Sequence, residues 1–385
     1  MRTLSALIAV VIAAALPPGP APRPASPAVP HVEVWQVPDD GIQPQAAVDA
    51  TGALHLLYFK GAPDGGDLFY VVRHPGDAGF STPLRVNSEA GSALAKGSVR
   101  GGQLALGAAG RVHDAWYGAR ELNESGAKRR PVWYARLAAD GKRFEPQVNV
   151  ATSSTGIDGA TIAADQRGAV YVAWHGQGTV DGEAHRTVYV ARSTDAGAHF
   201  APEQPAPQAT TGACGCCGLQ ALTDASGTTH VLYRAATGGT NRDAAWLTLG
   251  PGASVPVVLQ PWKLDACPMS TFALAPAGAA LSAAWETEQQ IYYARLDPAT
   301  RTFSAPVAMD GAGARKHPSV ATNAAGVTLV AWTEGTGWAR GGTLGWELLD
   351  AGGRRLETRT DMGAVPVWGL VAAASRPDGS FVILR

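Results

Sequence analysis

Two short stretches carry the least ordinary chemistry in this 385-residue chain: Gly212–Gly218, GACGCCG, and Asp265–Ser270, DACPMS. Between them they hold all four cysteines, Cys214, Cys216, Cys217 and Cys267, together with Met269. Thiolate and thioether are soft donors, and a set of them selects Cu(I) over harder ions. Two other readings stay open on the same residues. In an exported protein four cysteines also suit two disulfides, in any of three connectivities, although a bond between the neighbours Cys216 and Cys217 would strain the peptide joining them. Redox chemistry of the thiols is the third reading. A four-thiolate zinc site fits less well, because paired C-x₂-C knuckles are missing. If the strands that follow begin early, alternation turns Cys214 and Cys216 to one side, and Cys267 and Met269 likewise. That arrangement makes four convergent soft donors and leaves Cys217 over.

Cys217 and Cys267 are 50 residues apart, so only a repeating architecture brings their loops together. The chain has one. A turn recurs at Asp49–Gly52, Ala109–Gly110, Asp165–Gly168, Asp224–Gly227, Ala277–Gly278, Asn323–Gly326 and Asp378–Gly379, with successive glycines 48 to 59 residues apart. After six of the seven turns comes an apolar run ending in an aromatic: Tyr58, Trp116, Trp174, Tyr233, Trp285 and Trp332. The unit is clearest in Ala160–Phe200, where short runs alternate with period two between Asp/Gly turns, the mark of antiparallel strands. One such sheet cannot bury its faces alone. Four strands per repeat at this period predict an all-β propeller of four-stranded antiparallel blades. Seven blades are expected, six with a spare hairpin being the alternative. The lone strand His31–Val37 and the last segment, Gly369–Leu384, together complete one blade and close the ring, which leaves no open sheet edge.

Ser193-Thr194-Asp195-Ala196-Gly197-Ala198-His199-Phe200 fits S-x-D-x-G-x-x-F. This resembles the Asp-box (BNR) repeat of sialidase-like propellers. Degenerate versions stand at Asp77–Phe80, Asp140–Phe144 and Asp297–Phe303. The resemblance implies that Ser193, Asp195, Gly197 and Phe200 are architectural. The aspartate can cap backbone N–H groups, glycine permits a positive φ, and the aromatic packs back on the sheet. Active sialidases also use three arginines, a Tyr–Glu nucleophile pair, an acid–base Asp and an Arg-Ile-Pro motif. Here Arg73-His74-Pro75 lacks the isoleucine. Arg100, Arg186, Arg234 and Arg340 are candidates for an arginine cluster, while Tyr117, Tyr233 and Tyr292 read as strand aromatics.

In a propeller the loops before the first strands and after the second strands share one face, around the channel mouth. That places both cysteine stretches side by side there, with Lys96, Asp158, His175, Arg234, Glu286, His317 and Glu334 as candidates for the same ligand face. His113, His199 and His230 are expected to be structural and His55 exposed. The long charged loop Gly118–Arg130 is expected to act as a lid or a partner contact.

Net charge is −1, which points to neither nucleic acid nor an anionic membrane as partner. Residues 1–28 read as a signal peptide and Pro/Ala-rich leader: Arg2, an apolar run Leu4–Leu16, then small residues and prolines. The expected product is an exported bacterial protein, periplasmic or secreted, with 29–385 as one propeller domain, monomeric and without a membrane span once the signal is removed. Its expected function is to bind a small molecule, a glycan or a metal at the channel mouth, with Cu(I) the cofactor considered. The competing reading is an exo-acting glycoside hydrolase of exo-α-sialidase type.

Overall fold

The structure, a computed structural model, describes residues 29–97, 101–124, 127–177, 180, 182–206, 211–250 and 254–385. Residues 1–28, expected above to be a signal peptide and leader, and Arg100 lie outside the described residues. Seven sheets follow one another around a central channel of about 840 Å³. Each of the seven recurrent turns joins the first and second strands of its own blade. Blade 1 begins with Ile42–Val48 and ends with Leu84–Arg85, blade 2 begins with Gly102–Leu106 and ends with Val148–Asn149, and blade 6 begins with Arg315–Thr322 and ends with Arg355–Arg359. Blade 3 runs Thr155–Ala164, Val170–Gln177, Thr187–Ser193 and Gln204–Pro205. Blade 4 runs Gln220–Thr223, Thr229–Arg234, Ala244–Leu249 and Ser254–Gln260. Blade 5 runs Phe272–Ala277, Ala280–Thr287, Gln290–Asp297 and Thr302–Phe303, with Val307–Ala308 added beside its third strand.

The five turns that begin with Asp or Asn are built alike because that side chain acts as a local acceptor, whereas the turns at Ala109 and Ala277 lack one. Asp49 Oδ1 accepts the N–H groups of Thr51 and Ala53 (2.8 and 2.9 Å). Asp165 does the same for Arg167 and Ala169 (2.8 and 2.7 Å), and Asp224 for Ser226 and Thr228 (2.9 and 3.0 Å). The recurrent aromatics of the second strands, Tyr58, Trp116, Trp174, Tyr233, Trp285 and Trp332, are fully buried. Truncating one of them to alanine costs about 3–5 kcal/mol.

Blade 7 closes the ring from both termini, as expected, with one difference. Val32–Trp35 pairs with Phe381–Leu384 in parallel, and with Ala372–Ser375 this sheet has three strands. The N-terminal segment stands where a third strand would be.

His55 is buried, not exposed, at 7% accessibility. A second strand is sandwiched between two neighbouring blades, so both of its faces are covered and alternation no longer separates core from solvent. His55 Nδ1 meets Tyr70 OH at 2.7 Å, His113 Nδ1 meets Tyr134 OH at 2.7 Å, and His230 Nδ1 accepts from Trp246 Nε1 at 3.2 Å. This is one structural device used three times. His199 differs: it is exposed and holds Asp195 Oδ2 at 2.8 Å.

The Asp-box is a closed turn between the third and outer strands of blade 3. Ser193 Oγ donates to Asp195 Oδ1 (2.7 Å) and accepts from Gly197 N (3.0 Å), while Asp195 Oδ1 also accepts from His199 N (3.0 Å). Gly197 has φ 77°, and a Cβ there would fall 1.8 Å from Tyr134 OH. Phe200 meets the Tyr134 ring edge-on at 4.7 Å, which ties blade 3 to blade 2. Gly118–Arg130 contains a small hairpin, Leu122–Glu124 with Ala127–Arg129.

Candidate metal centre

The segment before blade 4 is a tight turn, not an early strand. Cys217 N donates to Cys214 O (3.2 Å), and the first strand begins only at Gln220. The expected alternation of Cys214 with Cys216 is therefore replaced by a turn that curls three thiols inward. Cys214 Sγ lies 3.3 Å from Cys216 Sγ and 3.4 Å from Cys217 Sγ, with Cys216 and Cys217 4.0 Å apart. Cys217 is a full member of the group. Backbone bonds pin the turn on three sides: Ala213 N to Glu183 O (3.0 Å), Cys214 N to Arg234 O (2.9 Å) and Gly218 N to Ser270 O (2.8 Å).

Cys267 arrives from the loop before blade 5, as the ring topology requires. All four cysteines are free; Cys214 and Cys217 are buried, Cys216 half-buried and Cys267 exposed. Two sets of potential ligand atoms lie within 4.8 Å of one another: Cys214, Cys216 and Cys217, and separately Glu183, Cys214 and Cys267. Met269 takes a left-handed backbone (φ 48°) and lines a small cavity with Lys316, His317, Trp338 and Trp368.

Three arginines surround the sulfurs. Arg234 is fully buried; it donates to Arg242 O (2.9 Å), Ser270 Oγ (3.1 Å) and the Glu286 carbonyl, and lies over the Trp262 and Phe272 rings at 5.2 and 5.0 Å. Ser270 Oγ in turn donates to Cys217 Sγ at 3.7 Å. Arg242 is buried and pairs with Glu183 at 2.8 Å. Arg186 pairs with Asp158 at 3.9 Å and fills the space over Gly215.

This environment separates the thiols into acceptors and donors. Burial works against the Cys217 thiolate, but its hydrogen bonds with Cys214 and Cys216 and the charge of Arg234 outweigh it and lower the group well below the usual thiol range. Cys267 is lowered too, by the Cys214 and Cys216 thiols first and by Arg242 last. Cys214 is pushed up by its bonds to the other three thiols and by burial. Cys214, Cys216 and Cys217 lie close enough together to hold a metal ion, and the thiolate rather than the thiol is the form that binds one.

The remaining candidates divide by position. Asp158 and Arg234 belong to the surroundings of the thiols. Glu286 is buried, accepts Gln289 N at 2.8 Å, and is raised by burial against the pull of Arg234 and Lys316. Burial, with Lys316 beside it, lowers His317 to about 3, and the ring faces Thr271 Oγ1 at 3.4 Å. Glu334 is held by Arg315 (2.7 Å) and Trp332 Nε1 (3.0 Å). His175 is buried opposite Asp158 in the blade 3 ladder. Lys96 is exposed on the loop between blades 1 and 2. Of the arginines, Arg186 and Arg234 meet at the thiols, whereas Arg340 lies against Gly337 in blade 6. Sequence reasoning missed Glu183, Arg186 and Arg242 as neighbours of the cysteines. All three sit in loops after second strands, and the same ring geometry would have placed them there.

No protein family and no curated protein sequence matches the chain. Among solved structures, the α-L-arabinofuranosidase Arb93A of Fusarium graminearum is similar with a TM-score of 0.53 at 12% identity, over 84% of this chain and 98% of that one. The Penicillium chrysogenum α-L-arabinanase gives 0.51 at 11% identity, over 84% and 98%. The Hadza microbial sialidase Hz136 gives 0.47 at 13% identity, over 81% and 70%. At these identities the likeness is one of fold alone, a seven-bladed propeller.

Proposed function

We propose that this chain is an exported metal-binding propeller that holds Cu(I) on the thiolates of Cys214, Cys216 and Cys217. The observation that carries the reading is the spacing of their sulfurs, 3.3, 3.4 and 4.0 Å. Sulfurs bonded to one ion at about 2.3 Å stand about 3.8–4.0 Å apart, so small rotations about χ1 would fit one. A disulfide would require about 2.05 Å. An all-sulfur donor set suits a soft ion such as Cu(I) better than a hard cation, and the preference between Cu(I) and zinc is part of the test below. Three acidic groups of the channel mouth are engaged in ion pairs, Glu334 with Arg315, Asp158 with Arg186 and Glu183 with Arg242, whereas Glu286 keeps a buried carboxylate oxygen without a hydrogen-bond partner.

The test is competition for Cu(I) between the reduced mature chain and a Cu(I) chelator under argon, beside a Cys217→Ser variant whose fold is checked by circular dichroism. Copper retained by the wild type and surrendered by the variant supports the reading. Transfer of all copper to the chelator from both proteins, or preference for zinc, overturns it. Turnover of a chromogenic glycoside by the metal-free protein would support the hydrolase instead.

A further inference from the structure

The candidate donors fall into two overlapping sets. One set is Cys214, Cys216 and Cys217; the other is Glu183, Cys214 and Cys267; within each, all ligand atoms lie within 4.8 Å, and they share only Cys214. A single ion cannot take all five donors at once. The sets also differ in access. Cys214 and Cys217 are buried, whereas Cys267 is exposed and Glu183 half-buried.

We infer that the centre has two metal positions bridged by Cys214: an inner all-sulfur position that keeps the ion, and an outer Glu183–Cys214–Cys267 position through which it is loaded. The inference rests on the soft-metal reading above and deepens it. A thiolate sulfur has more than one lone pair, so Cys214 can bind an outer ion and an inner ion together, or pass one ion inward without releasing it. The outer set mixes a carboxylate with two sulfurs, which suits Cu(I) less than three sulfurs do. Its ion is therefore the exchangeable one, and net movement runs inward. Copper stays Cu(I) throughout; each thiol that becomes a ligand gives its proton to solvent, and no electron is transferred. Arg242, paired with Glu183 at 2.8 Å, keeps the carboxylate at the rim and offsets the charge of the thiolates.

Native mass spectrometry of the reduced mature chain, titrated with Cu(I) as its acetonitrile complex and then challenged with chelator, counts both positions. The wild type is expected to take two ions, one lost quickly and one retained. Cys267→Ser is expected to take one ion and to load it more slowly, and Glu183→Gln to weaken the outer ion by about 10–100-fold while leaving the inner one in place. A wild type that saturates at one ion, with loading unchanged in Cys267→Ser, overturns the two-position arrangement and leaves the metal reading standing. Two ions retained alike in wild type and both variants also overturn it. A wild type that retains no copper defeats the metal reading itself.

Discussion

The guanidinium of Arg186 occupies the space that a side chain on Gly215 would need: a Cβ there would fall 1.4 Å from its Nη1 and 3.2 Å from Asp158 Oδ2. The glycine between Cys214 and Cys216 thus lets a cation from blade 3 lie directly over the turn that carries the thiols. Gly215→Ala is expected to push Arg186 off the turn or open it. The expected loss is about 10–100-fold in Cu(I) affinity, with about 1–3 kcal/mol of stability from overpacking. Chelator competition and urea unfolding measure the two. Unchanged affinity would show that Arg186 has no part in the centre.

Arg234 supplies the buried positive charge behind Cys217. Removing it should make the thiolates compete less well with protons, so the Cu(I) affinity of Arg234→Gln should depend more steeply on pH between 6 and 8 than that of the wild type. Arg234→Lys, which keeps the charge, should restore the shallower slope. Stability should fall by about 3–5 kcal/mol in the glutamine variant, the usual cost of breaking a buried charged network. Parallel pH slopes in all three proteins would contradict the role.

Glu203 ties the loop after blade 2 to blade 3. Its carboxylate accepts the N–H groups of Thr152, Ser153 and Ser154 at 3.0, 2.6 and 2.8 Å, and the hydroxyls of Thr152 and Ser153 at 2.9 Å each. Burial opposes ionisation, but these donors prevail and lower the group to about 2. A lowered folded value means stability that is present above the unfolded carboxylate range and lost as pH falls toward 2. Glu203→Gln should therefore cost about 2–3 kcal/mol at pH 7 and progressively less below pH 4. Urea midpoints of the two proteins across that range check it.

Asp114 has the opposite sign. Both carboxylate oxygens are buried without a hydrogen-bond partner, and burial raises the group well above its ordinary value. The folded state then holds a proton that the unfolded chain releases near pH 4, so its contribution is complete below that and is lost as pH rises toward the folded value. Asp114→Asn should be more stable than the wild type at pH 8, with the difference vanishing near pH 4. Thermal midpoints at both pH values decide; an equal difference at both would contradict the assignment.

The seven turns were legible because Asp and Gly punctuate them at fixed places, and that register alone brought GACGCCG and DACPMS to adjacent blades. Three things were not. His55 sits on a strand sandwiched between blades, where alternation carries no information about exposure. The cysteine segment folds as a turn closed by the Cys217 N to Cys214 O bond, so strand rules misassigned Cys217 and Met269. Glu183, Arg186 and Arg242 lie in loops after second strands, which ring geometry brings to the thiol face, but those loops vary in length and composition and no period marks which of their residues turn to the sulfurs.

The central claim is that the four thiols of an exported propeller stay reduced to hold metal. The direct measurement is intact mass of the mature protein, isolated anaerobically without reductant and unfolded in alkylating reagent, beside elemental analysis of the native sample. The account predicts four alkyl groups added without prior reduction, and copper in the native protein. Alkylation only after reduction, with no copper, would contradict it.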